Sequence, residues 1–198
     1  MFPRFTIPRM LTKAEELRLL ATVRAQGTRR DLALLTLALG TGLRLRELRG
    51  LNVGDVRVDG GATAWKVVLD PAITKGKRGG VAYLTGQVRR ELGVFLRWKV
   101  RAGEATEPRS ALFVSRQKRR LSLRRIQFVF REWQHAAGFE TIYPFHALRH
   151  TAITNVYRAT RDLYLTQRFA RHSSPLTTTI YTHPTDQELY AAIRGIKT

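Results

Sequence analysis

Residues 32–39 read LALLTLAL, with Thr36 the only polar interruption, and Gly40-Thr41-Gly42 ends the run. A segment this apolar has no polar face to turn toward water, so protein has to surround it on all sides. It is far shorter than the ~20 residues needed to cross a bilayer. The sequence therefore predicts a helix capped by Thr28, running through Leu39 at the centre of a core. The other elements must supply its covering.

Local signals mark those elements. Thr12-Lys13-Ala14-Glu15 has the Thr-x-x-Glu spacing of a reciprocal N-terminal cap. It opens a helix toward Gln26 with Leu17, Leu20 and Val23 inward, and Gly27 ends it. A short helix follows around Leu45, Leu48 and Leu51. The period then changes. Residues 56–58, the tight turn Asp59-Gly60-Gly61 and residues 64–69 read as strand, turn and strand, and 81–84 as a third strand. Beyond Thr85 the pattern is helical over 86–102, 123–137 (Ser122 as cap, Gly138 as stop), 147–160 and 162–172. A last helix follows a second cap, Thr185-Asp186-Gln187-Glu188. The expected fold class is mainly α with a small antiparallel three-stranded β-sheet. Residues 1–10 read as a basic, proline-containing tail or linker, and 11–198 as one domain.

The chain carries 35 Lys and Arg against 15 Asp and Glu, a net charge of +20. Such an excess favours a polyanionic partner. Twenty-eight of the basic residues are Arg, whose planar fork grips two phosphate oxygens at once. They are spread along the chain rather than gathered on one amphipathic helix, which favours nucleic acid over a membrane surface. A hydrophobic fraction of 43% excludes wholesale disorder. The lack of cysteine excludes a disulfide scaffold, a thiol nucleophile and Cys-based metal sites. The opening MFPRFTIPRM has no apolar run of the secretory kind, so a cytoplasmic protein is expected.

Four segments set a polar group on apolar scaffolding. In Thr41-Gly42-Leu43-Arg44-Leu45-Arg46-Glu47-Leu48 the leucines anchor a turn and hold Arg44 with its head outward. In His146-Ala147-Leu148-Arg149-His150, His146 and Arg149 share a helical face. Zinc at His146 and His150 is a further reading, but the glutamate of the metalloprotease spacing is absent. In Ala170-Arg171-His172-Ser173-Ser174-Pro175, Pro175 starts a Thr-rich helix, and Tyr181 lies near its end, nine residues after His172. The loop Thr74-Lys75-Gly76-Lys77-Arg78-Gly79-Gly80 presents Lys75 at the tip of a strand pair, without the spacing of a nucleotide-binding P-loop. Each group also has a bland reading: a surface arginine, a satisfied helix-end histidine, a packed tyrosine, a solvated amine.

Together and in this order, the segments resemble the catalytic domain of the tyrosine recombinases, the phage-integrase and Xer family. TGLRLREL resembles the family's first arginine box, and ITKGKRGGVAYL its lysine-bearing β-hairpin. HALRH resembles the His-x-x-Arg box, and RHSSPLTTTIYTH the closing box. The match runs from about Leu11 to Tyr190. It implies Arg44 and Arg149 as paired phosphate-binding arginines, and Lys75 as the hairpin lysine with Lys77 as the alternative register. His146 becomes the His of its box, His172 a further phosphate contact and Tyr181 the nucleophile. Glu47 matches an acidic position of the first box and is expected to pair with a nearby arginine. The chain departs from the pattern at Arg171, where the family usually has glycine. If that position needs a positive φ, arginine is strained there. Members also carry an N-terminal helical DNA clamp, and only 43 residues precede Arg44. The expectation is a catalytic domain without the clamp, cut from a longer protein or naturally shortened.

The resemblance implies transesterification at a DNA phosphodiester, with a 3′-phosphotyrosyl link and a free 5′-hydroxyl as products. A phenol of pKa ~10 needs help to attack at neutral pH, and two preorganised guanidiniums would stabilise the charge that builds on phosphate. Lys75 is the expected acid and His146 the expected base. Covalent storage of the bond calls for no cofactor, and the scattered carboxylates do not make a two-metal set. Double-stranded DNA is the expected partner, without membrane or small-molecule substrate, at a cytoplasmic, nucleoid-associated location. A homo-tetramer on DNA and a monomer when free are expected. Lys77, Arg78, Arg119, Arg120, Arg124 and Arg125 are candidate DNA-binding residues. The residues after Tyr181 are expected to form a helix striped by Leu189, Tyr190 and Ile193, docked on a neighbour or on its own chain. The alternative function is a non-catalytic DNA-binding remnant or regulator of the same fold.

Overall fold

The computed structural model describes residues 9–74, 76, 78–181, 190, 193 and 194. The expectations for residues 1–8, Lys75, Lys77 and 182–189 lie outside the described residues.

The predicted central helix is α2 (Arg29–Thr41). The Thr28 hydroxyl accepts from the Asp31 N–H at 3.1 Å. Gly42 ends the helix in the left-handed region at φ 58°, where a side chain would be strained. Leu32, Leu34, Leu35 and Leu37 are fully buried, because α1 (Lys13–Gln26), α5 (Gly86–Arg101) and α7 (His146–Thr160) pack around α2. The reciprocal cap of α1 is present: Thr12 N–H donates to the Glu15 carboxylate at 2.8 Å, and Glu15 N–H to the Thr12 hydroxyl at 3.2 Å. The inward face of α1 is Glu16, Leu19 and Val23, and Leu17 is exposed. The charged Glu16 takes the inward place because Asn155 of α7 donates to its carboxylate at 3.0 and 3.1 Å.

After α3 (Leu45–Gly50) comes the short helix α4 (Val53–Val56). The sheet among the described residues has two strands rather than three: β1 (Lys66–Leu69) runs antiparallel to β2 (Gly80–Tyr83), with Lys66 opposite Tyr83 and Leu69 opposite Gly80. The expected first strand at 56–58 is replaced by the end of α4 and a single bridge between Arg57 and Thr63. The reason is local. Asn52 N–H donates to the Asp55 carboxylate at 2.7 Å, and this cap commits 53–56 to a helical turn before the valines can pair. The tight turn at Asp59-Gly60-Gly61 still closes, with Val58 N–H on the Ala62 carbonyl at 2.9 Å.

The second half is helical: α6 (Leu123–Ala136), α7, α8 (Leu163–Ala170) and the one-turn α9 (Leu176–Thr179). Buried Gln134 on α6 ties down the approach to α7: its carbonyl oxygen accepts from Tyr143 N–H at 2.6 Å, and its amide donates to the Tyr143 carbonyl at 3.1 Å. The start of the domain is pinned to the same helix, with Leu11 N–H donating to the Thr151 hydroxyl at 2.9 Å. Helix α7 therefore stands fixed against α2, α8 and the chain's entry, and it carries three of the polar groups considered below. Among the described residues no helix is long and apolar enough to cross a membrane.

Candidate active site

Two buried leucines, Leu43 and Leu48, bracket Arg44, as the first arginine segment suggested. Arg44 is the N-cap of α3 with extended backbone. Its own N–H donates to the Glu47 carboxylate at 2.8 Å and its guanidinium at 2.9 Å. The side chain keeps 28% of its surface open, so the head meets solvent while its root is fixed.

Arg149 is different: it is 3% exposed. Its guanidinium donates to the Gly42 carbonyl at 2.5 Å and to the Ala170 carbonyl. It thus joins the end of α2 to the end of α8 from the first turn of α7. Burial, then the neighbouring Arg44 and Arg171, push its pKa down to about 9, against the pull of Glu47 and Tyr181. It stays protonated at neutral pH.

Glu47 is 1% exposed and pairs with arginine as expected. Its partners are Arg44 at 2.9 Å and Arg171 at 3.1 Å. Burial raises its pKa, but Arg171 and Arg44 outweigh that and hold it below the ordinary carboxylate value. Arg171 does occupy the left-handed region, at φ 55° and ψ 45°, as the C-cap of α8. The backbone there has the conformation that favours glycine, and the arginine is retained with its guanidinium on Glu47 and on the Phe169 and Gly42 carbonyls at 3.1 and 3.3 Å.

His172 follows directly. Its Nδ1 lies 2.9 Å from the Thr178 hydroxyl, and its ring stacks on Tyr181 with centroids 6.1 Å apart and planes 20° apart. Burial and the field of Arg149, Arg44 and Arg171 push its pKa down to about 4. Tyr181 is 8% exposed, in a small cluster with Ile153 and Ala170 apart from the main core. Burial raises its pKa, partly opposed by Arg149 and Arg44.

His150 holds the phenol: its Nδ1 lies 2.6 Å from the Tyr181 oxygen. His146, one helical turn earlier, stands edge-on to the His150 ring at 4.5 Å and lines a cleft of about 700 Å³ with Arg44, Arg49 and Thr74. Burial, then Arg149 and Arg44, lower the His146 pKa. Sequence reasoning weighed His150 only as a zinc ligand or a helix-end residue. The available signal was its place directly after Arg149, four residues from His146.

Arg44, Glu47, Arg171 and His172 line one cleft of about 520 Å³, which Thr74, Gly76 and Arg78 of the glycine-rich loop close from the other side. The structure thus brings Arg44, Arg149, His146, His172 and Tyr181 into one neighbourhood, with Arg78 beside them. Arg119, Arg124 and Arg125 are exposed and line neither of these two clefts. Arg120 is half-buried and has partners within the fold. Its guanidinium is engaged by the Arg49 and Leu51 carbonyls, each at 2.8 Å, and by the Asn52 side chain at 2.6 Å, so it braces the chain between α3 and α4.

Comparisons with known proteins agree with this geometry. A tyrosine recombinase XerC of Caldanaerobacter subterraneus subsp. tengcongensis is 34% identical over 188 residues, covering 94% of this chain and 50% of the relative. A Vibrio cholerae tyrosine recombinase XerC is 34% identical over 161 residues, covering 81% of this chain and 49% of its own. The chain spans about half the length of these curated relatives. The crystal structure of XerA recombinase matches with a TM-score of 0.79 and 25% identity, over 98% of this chain and 67% of that one. A XerH site-specific recombinase bound to its palindromic difH substrate shares the fold, with a TM-score of 0.77, 22% identity, and 96% and 54% coverage. The model of the phage integrase family matches residues 9–188, from just ahead of the α1 cap to beyond Tyr181, and the chain belongs to that family.

Proposed function

We propose that this chain is the catalytic domain of a site-specific DNA recombinase, which cuts and rejoins a strand through a 3′-phosphotyrosyl intermediate. The observation that carries the reading is the gathering of Arg44, Arg149, His172 and Tyr181 from three separate stretches of chain: Arg44 and His172 line one cationic cleft, Tyr181 stacks on His172, and Arg149 ties Gly42 to Ala170 behind them. Attack on a phosphodiester puts charge on the non-bridging oxygens. Guanidiniums already fixed by Glu47 and by main-chain carbonyls stabilise that charge without reorganising. His172 supplies a further hydrogen bond to phosphate, and His146 borders the same space. Lys75, between the cleft-lining Thr74 and Gly76, gives a proton to the departing 5′-oxygen. The covalent link keeps the bond energy for rejoining, so the chemistry draws on no cofactor.

Double-stranded DNA is the proposed substrate. Four copies act together on two duplexes, and the free chain is a monomer of the cytoplasmic, nucleoid-bound pool. The N-terminal clamp of the family would lie outside residues 11–198. Phosphate contacts come from Arg78, Arg119, Arg124, Arg125 and Lys77, and the helix that includes Tyr190 and Ile193 docks on a neighbouring copy.

The test uses a library of duplexes with randomised cores, each with a 5′-bridging phosphorothiolate as the scissile linkage and a nick a few nucleotides to its 3′ side. Wild-type protein should form a detergent-resistant adduct that Tyr181→Phe abolishes while binding persists. DNA binding with no adduct from wild type identifies the non-catalytic alternative.

A further inference from the structure

We infer that His150 is the group that takes the proton from Tyr181 as the phenol attacks. The inference rests on the strand-transfer reading above and assigns a residue that the four sequence segments left without a role.

Three imidazoles lie near the phenol, and they are not equivalent. His172 offers its ring face, with its Nδ1 engaged by the Thr178 hydroxyl. His146 meets the edge of His150 rather than the phenol. His150 places Nδ1 2.6 Å from the phenol oxygen, within the reach that proton transfer requires. It is also the residue directly after Arg149 on α7. The helix that grips phosphate through Arg149 therefore fixes the acceptor too, and the spacing between them is set by helical geometry.

The electrostatics suit a base that acts only when substrate is present. Burial, His146 and Arg149 push the His150 pKa down to about 4, so the ring is neutral at neutral pH, and in the tautomer with its proton on Nε2 the Nδ1 lone pair accepts from the phenol. Burial raises the phenol's own pKa, so the proton does not leave unaided. The groups that face His150 are His146 and Arg149 from α7, His172 from the turn after α8, and Tyr181 itself. An imidazolium among them is unfavourable until the DNA phosphate adds its negative charge.

The step balances. The phenol O–H bond breaks and its proton moves to His150 Nδ1 as the phenol oxygen bonds to phosphorus. The bond from phosphorus to the 5′-oxygen breaks, and that oxygen keeps the electron pair and takes a proton from Lys75. In rejoining, the 5′-hydroxyl attacks phosphorus and returns its proton to Lys75, the bond from phosphorus to the phenol oxygen breaks, and His150 returns its proton to the departing phenolate.

Single-turnover adduct formation on the same nicked phosphorothiolate library tests this. Wild-type adduct with none from Tyr181→Phe establishes the strand-transfer reading separately; no wild-type adduct would overturn that reading and this inference with it. Given the adduct, His150→Ala should slow its formation by about 10²-fold or more with DNA binding unchanged. Added imidazole should restore much of that loss. His150→Gln can hold the phenol but cannot take its proton, so it should stay slow and should also lose the acidic limb of the pH–rate profile. His150→Gln is the deciding variant if His150→Ala unfolds. Wild-type rates in His150→Gln would overturn the inference by showing that a hydrogen bond suffices. Faster cleavage in either variant would also overturn it, because His150 would then be a latch on the resting tyrosine.

Discussion

The Arg171 guanidinium meets the Glu47 carboxylate at 3.1 Å, with Glu47 1% and Arg171 10% exposed. The same carboxylate holds Arg44 at 2.9 Å. One buried anion therefore spaces two cations, one reaching into the cleft and one closing the end of α8. The stem of Arg171 also packs on the start of β2: a Cβ on Gly80 would lie 2.9 Å from Arg171 Cδ. A residue expected to be strained thus ties the first arginine segment to the hairpin.

A substitution series separates the two effects at Arg171. Arg171→Ala keeps a left-handed side-chain residue but leaves Glu47 short of a partner, and should cost about 3 kcal/mol. Arg171→Gly should recover about 1 kcal/mol of that by relieving the backbone. Denaturant unfolding at neutral pH reads both. Glu47 has its pKa depressed in the fold, so its contribution is complete above the ordinary value of 4.5 and is lost as pH falls through the folded value. Glu47→Gln should lack that part of the acid slope.

The histidines give a second pH window with its own sign. His150 and His172 have folded pKa values of about 4 against 6.5 when free. Between those values the unfolded chain binds protons that the native state refuses, so stability should fall as pH drops from 6.5 toward 4. Urea midpoints measured across that range should decline in wild type and decline less in His172→Gln. A flat wild-type profile would contradict the neutral native imidazoles.

Arg44 and Arg149 should part company in stability though both are needed for cleavage. Arg44→Ala removes the more exposed of the two guanidiniums on Glu47 and leaves Arg171 and the backbone N–H of residue 44 on the carboxylate, so the melting temperature should fall less than in Arg149→Ala. Arg149→Ala strands the buried carbonyl of Ala170, at about 1–3 kcal/mol, and leaves that of Gly42 with Arg171 alone. Either variant should lower adduct formation by about 10²-fold or more. Equal melting temperatures would refute the bracing role of Arg149.

Among the basic residues from 119 to 125, Arg120 should behave unlike its neighbours. Arg124→Ala and Arg125→Ala should each reduce the slope of log K against log salt by about 1. Arg120→Ala should leave that slope alone and lower stability, because its guanidinium serves Arg49, Leu51 and Asn52. Filter binding across a salt series, with melts alongside, distinguishes them.

Features written in a few neighbouring residues were readable in advance. The caps at Thr12, Thr28 and Ser122 depend on a side chain and a backbone N–H three residues apart, and they bounded α1, α2 and α6. Valine alternation at 56–58 misled because Asp55 competed for the same backbone. The inward glutamate of α1 depended on Asn155, 139 residues away, which no local pattern reports. The candidate site divided similarly. Arg44, Arg149 and Tyr181 were legible through the spacing of their segments. The His150–Tyr181 contact and the reach of Arg171 to Glu47 arise only when α7, α8 and α3 are packed. The carbonyls that engage Arg120 were not legible either, because charge on paper carries no record of them.

Both Arg149 and Arg171 donate to the carbonyl of Gly42. That acceptor belongs to the main chain, so conventional mutagenesis cannot delete it, and an alanine scan would pass over the hub on which two guanidiniums converge. Only an amide-to-ester exchange that weakens this oxygen would address it directly. A survey by side-chain replacement would credit the arginines with an anchorage that the peptide backbone provides.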